Sequence, residues 1–214
     1  MNELNTGYNE SEVSVALDKI VKSYESLYDV LSIEVQKKFV DELANMWACS
    51  YAVEFFNNDF KPAFDDILNN INMTFENVVE SITSAAQAWA QTGGGDFAHS
   101  GISLKTAKVD VSAIKENING VRGINTNTQA IAARLQSISG EAEGALNDTI
   151  TAVQNSGFIG GGMQENLISA LTQIKTQLSE AITELNNDIQ EYVNKTASEY
   201  EELASSTANA FSGN

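Results

Sequence analysis

An all-α fold is predicted, built from two long helical hairpins in tandem that pack as a four-helix bundle. Three observations predict it. The 214 residues contain a single proline, so long stretches are free to be helix. Apolar residues recur at spacings of three and four over most of the length, the period of one buried helix face. Breaks fall in the places two hairpins need them: around residues 47–59, at Gly93-Gly94-Gly95, and at Gly157 to Gly162.

Residues 1–10 are polar and read as a flexible tail. Ser11 is a good N-cap with Glu12 in the first turn. Val13, Leu17, Ile20, Tyr24, Leu27, Leu31, Val35 and Leu43 then form one stripe, which predicts a first helix over 11–46. The stretch Met46 to Phe56 concentrates Trp47, Tyr51, Phe55 and Phe56 and has no glycine. Asn57-Asn58-Asp59 carries turn chemistry and Pro62 suits a first helical turn. The break therefore falls at 47–50, at 57–59, or at both. Phe64, Ile67, Leu68, Ile71, Phe75, Val78 and Ile82 carry a second helix to about 92, closing a hairpin over 11–92.

Gly93, Gly94 and Gly95 read as a hinge within a linker over 93–104. Val109, Val111, Ile114, Ile118 and Val121 begin a weaker helical pattern, interrupted by Gly120 and Gly123. Ile131, Leu135, Ile138, Ala142, Leu146 and Ile150 resume it. Gly140 and Gly144 each cost about 1 kcal/mol against alanine there, and small residues at that spacing can let another helix approach. Leu167, Leu171, Ile174, Leu178, Ile182, Leu185, Ile189 and Tyr192 form almost a heptad seam. The second hairpin is thus placed at 105–203, with 204–214 a flexible tail.

Composition excludes several function classes. The formal charge of −17 would be repelled by phosphate backbones, so nucleic acid is not an expected partner. No run of about 18 apolar residues is present, so no membrane span is expected. The first residues lack a basic region followed by an apolar core, so no cleaved signal peptide is expected. The one cysteine, Cys49, excludes an internal disulfide and reads as a small buried side chain. The one histidine, His99, lies in the glycine-rich linker and reads as an exposed residue. A carboxylate-bridged metal site would need Glu-x-x-His on paired helices. The glycine clusters lack the Lys-Ser/Thr of a phosphate loop. No catalytic residue, metal or cofactor is expected, and the protein is read as not an enzyme.

Trp47-Ala48-Cys49, followed by Ala52 and Phe55 and then the small-residue patch up to Trp89, resembles the WXG (ESAT-6-like) family of small secreted helical-hairpin proteins. That family places Trp-x-Gly at the turn, with an alanine and an aromatic packing under the tryptophan. Phe158-Ile159-Gly160, with Leu167 and Leu171 beyond it, resembles a second, degenerate copy. The first copy has Cys49 at the family's glycine position; the second has Gly160 without a tryptophan. The family's export signal, an aromatic followed four residues later by an acid, is not met at Trp89, Tyr192 or Tyr200.

The resemblance implies a substrate or partner of a type VII secretion system in a Gram-positive bacterium. Such proteins act by helix-face contacts without catalysis and leave the cell folded, through a membrane ATPase, without a cleaved signal. A tandem chain would form the four-helix bundle internally as a pseudo-dimer, or as a homo-oligomer. Its partners would be the secretion ATPase and WXG- or LXG-type proteins. The alternatives are a targeting module or partner of an LXG-type toxin, and a structural bundle unrelated to secretion. Trp47, Phe55 and Phe56 would serve either as glue at the hairpin tip or as a surface shown to a partner.

Overall fold

The computed structural model describes residues 6–159 and 162–212. It is all-α, with four long helices and little strand. A two-residue strand β1 (Gly7–Tyr8) precedes α1 (Glu10–Asp29). The helix continues through two π-helical turns (Val30–Glu34 and Gln36–Val40) into α2 (Asp41–Ala44). Strand β2 (Trp47–Ala48) makes the turn. The return helix is α3 (Ser50–Glu54), a third π-helical turn (Phe55–Phe60) and α4 (Lys61–Thr92). Strand β3 (Gly123–Ile124) then leads into α5 (Thr128–Ala132) and α6 (Arg134–Gln154). Strand β4 (Phe158–Ile159) makes the second turn, and α7 (Met163–Ser212) closes the chain.

The break in the first hairpin falls at 45–49. Asn57-Asn58-Asp59 lies inside a π-helical turn, not a loop. Pro62 explains the widening there. It has no N–H to donate, and its ring would press on the carbonyl four residues back. Lys61 N–H reaches back to Phe56 O, five residues away. The chain thereby absorbs the proline without ending the helix.

Several boundaries differ from expectation. Asn9, not Ser11, caps α1: its side chain accepts from the backbone N–H groups of Ser11 at 3.1 Å and Glu12 at 3.3 Å. Gly7 and Tyr8, expected in a flexible tail, are paired in a strand. Residues 105–122 are not helical. Val109 and Val111 are two apart, the period of extended chain, and both are buried. Residues 204–212, expected as a frayed tail, continue α7. Gly93–Gly95 form a hydrogen-bonded cap on α4: Gly95 N–H donates to Ala90 O at 2.9 Å and Gly94 N–H to Gln91 O at 3.0 Å. Gly94 takes the left-handed φ of +79° that this cap requires.

The chain divides into two compact units, and each draws a segment from all four long helices. Unit 1 comprises Met1–Leu31, Asp66–Ala107 and Gly140–Ser179; unit 2 comprises Ser32–Asp65, Lys108–Ser139 and Glu180–Asn214. Residues 93–104, expected as a linker between domains, therefore lie inside unit 1, where Phe97 is buried.

The core of unit 1 is largely aliphatic, with Leu17, Ile20, Leu27, Leu68, Ile71, Val78, Ile82, Leu146, Leu171 and Leu178 all buried. Tyr24 and Asn72 hold the main chain of its extended segment. Lys105 N–H donates to Tyr24 Oη at 2.7 Å, Asn72 Nδ2 donates to Lys105 O at 2.9 Å, and Tyr24 Oη donates to Asn72 Oδ1 at 2.8 Å. Burial pushes the Tyr24 phenol above its usual range, against the opposing pull of the Lys105 N–H and charge.

Unit 2 has an aromatic core. Phe39, Phe55, Phe56, Phe60 and Phe64 are fully buried, with Phe60 and Phe64 rings stacked at 4.6 Å and Phe39 and Phe60 at 5.2 Å. Its extended segment is also held by the main chain. Gln36 donates from Nε2 to Asp110 O at 3.0 Å and accepts from Asp110 N–H at 2.7 Å. The helix-borne amide thus stands in for a strand partner.

Candidate functional site: the two hairpin tips

The tip of the first hairpin lies in unit 2. Trp47, Ala52, Phe55 and Phe56 are fully buried, and Ala48 and Cys49 nearly so. The indole lies 6.2 Å from the Phe55 ring and 6.4 Å from the Phe56 ring. Its Nε1–H donates to Thr196 Oγ1 of α7 at 3.2 Å, and that hydroxyl donates in turn to Tyr192 O at 2.7 Å. A buried indole N–H needs an acceptor, and Thr196 supplies it. Of the two expected roles for these aromatics, the packed one is what the geometry displays.

The backbone at Cys49 does not call for glycine. Its φ of −165° and ψ of 176° are extended, a conformation open to any residue. Its Sγ lies 3.8 Å from Thr196 Oγ1.

A short strand closes this tip. Trp47 pairs with Ile124 and Ala48 with Gly123, antiparallel, and Asn125 N–H donates to Met46 O at 2.8 Å. Asn125 Oδ1 accepts from Asn127 N–H at 2.8 Å as the chain enters α5. The partner strand is thus the lead-in to the second hairpin.

The tip of the second hairpin lies in unit 1 and repeats that pattern bond for bond. Phe158 pairs with Tyr8 and Ile159 with Gly7, antiparallel, and Asn9 N–H donates to Gly157 O at 2.8 Å. Here the partner strand is the lead-in to the first hairpin. Gly7, Tyr8 and Asn9 therefore correspond to Gly123, Ile124 and Asn125, while Gly157, Phe158 and Ile159 correspond to Met46, Trp47 and Ala48. In each unit the tip of one hairpin pairs with the strand that leads into the other.

Side chains distinguish the tips. Phe158 is half-buried, stacked on Tyr8 at 6.4 Å, and Tyr8 stacks on Trp89 at 6.3 Å. Ile159 is 47% exposed and Trp89 39% exposed. Gly160, named for its place in the motif, lies outside the described residues. Gly157 has φ +74°, and a Cβ there would sit 2.7 Å from Glu12 Cβ.

Sequence reasoning found the tips but not what closes them. The signal was present: Gly7-Tyr8-Asn9 and Gly123-Ile124-Asn125 share glycine, a large apolar residue and asparagine, each just before a helix. Thr196 carried no such signal, because its role depends on where the helix seam brings it.

His99 is not the exposed residue expected. Its side chain is 9% exposed, and its Nε2 lies 3.3 Å from Asp18 Oδ1 while Nδ1 accepts from Gly101 N–H at 3.1 Å. Among the described residues no three or more His, Cys, Asp or Glu side chains are grouped to hold a metal ion. Near the Trp47 tip, burial pushes the Tyr192 phenol and the Asp188 carboxyl up, helped in both cases by the charge of Asp59. No helix among the described residues is long and apolar enough to cross a membrane. Comparison with known protein families, curated proteins and solved structures returns no match to this chain.

Proposed function

We propose that the chain is a non-enzymatic, tandem WXG-type protein of a type VII secretion pathway, an exported substrate or helical partner that works through helix-face contacts. One observation carries this reading. Each hairpin tip is closed by the strand that leads into the other hairpin, with the same register and the same asparagine bond. Two hairpins closed by one design, each by the other's lead-in strand, are what a pseudo-dimer of hairpin units would need. The burial of Trp47, Ala52 and Phe55, with the Trp47 and Phe55 rings 6.2 Å apart, supports the same reading.

The proposed partners are the secretion ATPase and other WXG- or LXG-type proteins, with localisation outside the cell after export. The test is fractionation of culture supernatant from a Gram-positive host with and without an FtsK/SpoIIIE-like secretion ATPase. The expected result is chain in the medium only when the ATPase is present. Retention inside the cells of both strains would refute export.

A further inference from the structure

Among the described residues, Asn119 is the one other than glycine that takes a positive φ, at +52°. It forms a two-residue hairpin turn in unit 2 with Gly120, whose φ is +82°. Ile118 N–H donates to Val121 O at 2.8 Å and Val121 N–H to Ile118 O at 3.0 Å, which closes the turn. Asparagine followed by glycine suits this geometry, since both tolerate a left-handed backbone. The same pair carries a chemistry that the turn does not use.

The main-chain nitrogen after an asparagine can attack that asparagine's Cγ and close a cyclic imide. Two things oppose it: a side chain on the following residue, and a partner that holds the attacking N–H. At Gly120 the first is missing, and even a Cβ built there would meet nothing within 4 Å. Asn117, Asn119 and Gly120 are all exposed, so water reaches the reacting atoms. No other asparagine in the 214 residues precedes a glycine. The second obstacle is present, because Gly120 N–H donates to Asn117 Oδ1 at 3.2 Å. Asn155-Ser156, at the second hairpin turn, shows the fully closed case. There Asn155 Nδ2 donates to Thr151 O at 2.8 Å, and Ser156 is fully buried with its N–H on Val153 O.

We propose that Asn119 is a site of spontaneous deamidation, and that Asn117 restrains its rate by holding the Gly120 nitrogen. Hydroxide takes the Gly120 N–H proton, the nitrogen bonds to Asn119 Cγ, and Nδ2 leaves as ammonia with a proton from water. The imide nitrogen carries no proton, so ring closure costs Asn117 its hydrogen bond. That loss is the restraint. Water then opens the ring. Breaking the bond from the Gly120 nitrogen to Cγ leaves aspartate. Breaking its bond to the Asn119 main-chain carbonyl leaves isoaspartate, with the main chain running through Cβ and Cγ. Either product adds a negative charge to the loop spanned by the Glu116–Arg122 ion pair. The isoaspartyl product also lengthens the main chain by an atom shortly before β3, so Ile118 and Val121 lose their register.

Incubation of the folded full chain followed by tryptic mass spectrometry tests this, independently of export. Cleavage after Lys115 and Arg122 isolates Glu116 to Arg122 as one peptide. That peptide should gain the mass difference between amide and acid at Asn119, in two forms that chromatography separates. Conversion should be faster at higher pH, where the nitrogen loses its proton more readily. Asn117→Ala should speed it about fivefold, the worth of an ordinary hydrogen bond. Asn117→Asp keeps the accepting oxygen and should restore the slower rate. Asn119→Gly keeps the left-handed backbone without the amide and should abolish the mass gain. The same chain in urea supplies the unrestrained rate, which the folded chain should not reach. The proposal would be overturned by a folded chain that never converts while the unfolded one does, or by equal rates in the two. An Asn117→Ala rate equal to the parent's, or a mass gain that persists in Asn119→Gly, would overturn it as well. Circular dichroism verifies that every variant is folded.

Discussion

The Trp47 tip and the Phe158 tip share one plan of main-chain hydrogen bonds and differ in what is built around it. At the first, the indole is fully buried, its N–H is satisfied by Thr196, and Phe55 and Phe56 pack against it. At the second, Phe158 is half-buried, Ile159 faces outward, and an aromatic row through Tyr8 to Trp89 stays partly open. The strand pairing positions a tip; it does not decide whether that tip is core or surface. Side-chain volume decides that. The first tip should therefore dominate stability, and the second should be adjustable.

The sharpest way to break this contrast is to truncate both aromatics. Trp47→Ala should cost about 3–5 kcal/mol in denaturant unfolding, and Phe158→Ala distinctly less, about 1–2 kcal/mol. Equal costs would show that the tips are equivalent after all. Next in size, Thr196→Val keeps the shape but strands the indole N–H, at about 1–3 kcal/mol by the same measurement. Gly157→Ala should cost about 2 kcal/mol, because the left-handed φ and the close Glu12 Cβ both oppose a side chain. Met46→Ala, at the corresponding place in the first tip, meets no such obstacle and should be milder. Asn9→Ala removes a cap that accepts two N–H bonds and should cost about 1 kcal/mol.

The smallest effect is one of pH. Asp188, near the first tip, is raised mainly by burial and then by Asp59, Glu184 and Glu191. A carboxyl raised in the folded state binds its proton more tightly there than in the unfolded chain. Stability from this group is therefore greatest in acid and falls as pH rises from the unfolded value through the folded one. Asp188→Asn should raise the melting temperature at neutral pH and leave it unchanged below the unfolded carboxylate range. An equal rise at both values would assign the effect to packing.

Much of the architecture was legible because helices announce themselves by period. The stripes from Val13 to Leu43, Phe64 to Ile82 and Leu167 to Ile189 all face inward, and Trp47 marked the first turn. What failed was short and long-range. Val109, Val111 and Ile114 fit a loose helical spacing, yet Val109 and Val111 lie on an extended run held through Asp110 by Gln36, and Ile114 N–H closes a turn on Val111 O at 3.0 Å. Two-residue strands carry too little pattern to be seen, and the glycines at 140 and 144 invited a close-packed helix that none of the described residues supplies. Local periodicity reports which face is buried; it does not report which distant side chain will hold a backbone.

The crossed closure has a consequence for the order in which the chain can be completed. As residues emerge in synthesis, the Trp47 turn exists long before Ile124, and Tyr8 waits still longer for Phe158. Neither end of the first hairpin can be fastened by residues of that hairpin alone. The Trp47 tip therefore stays open until the second hairpin's lead-in strand is made, and Tyr8 until that hairpin's turn is made. A ribosome stalled before Phe158 would carry an unlatched intermediate, whereas the finished chain can latch at both tips.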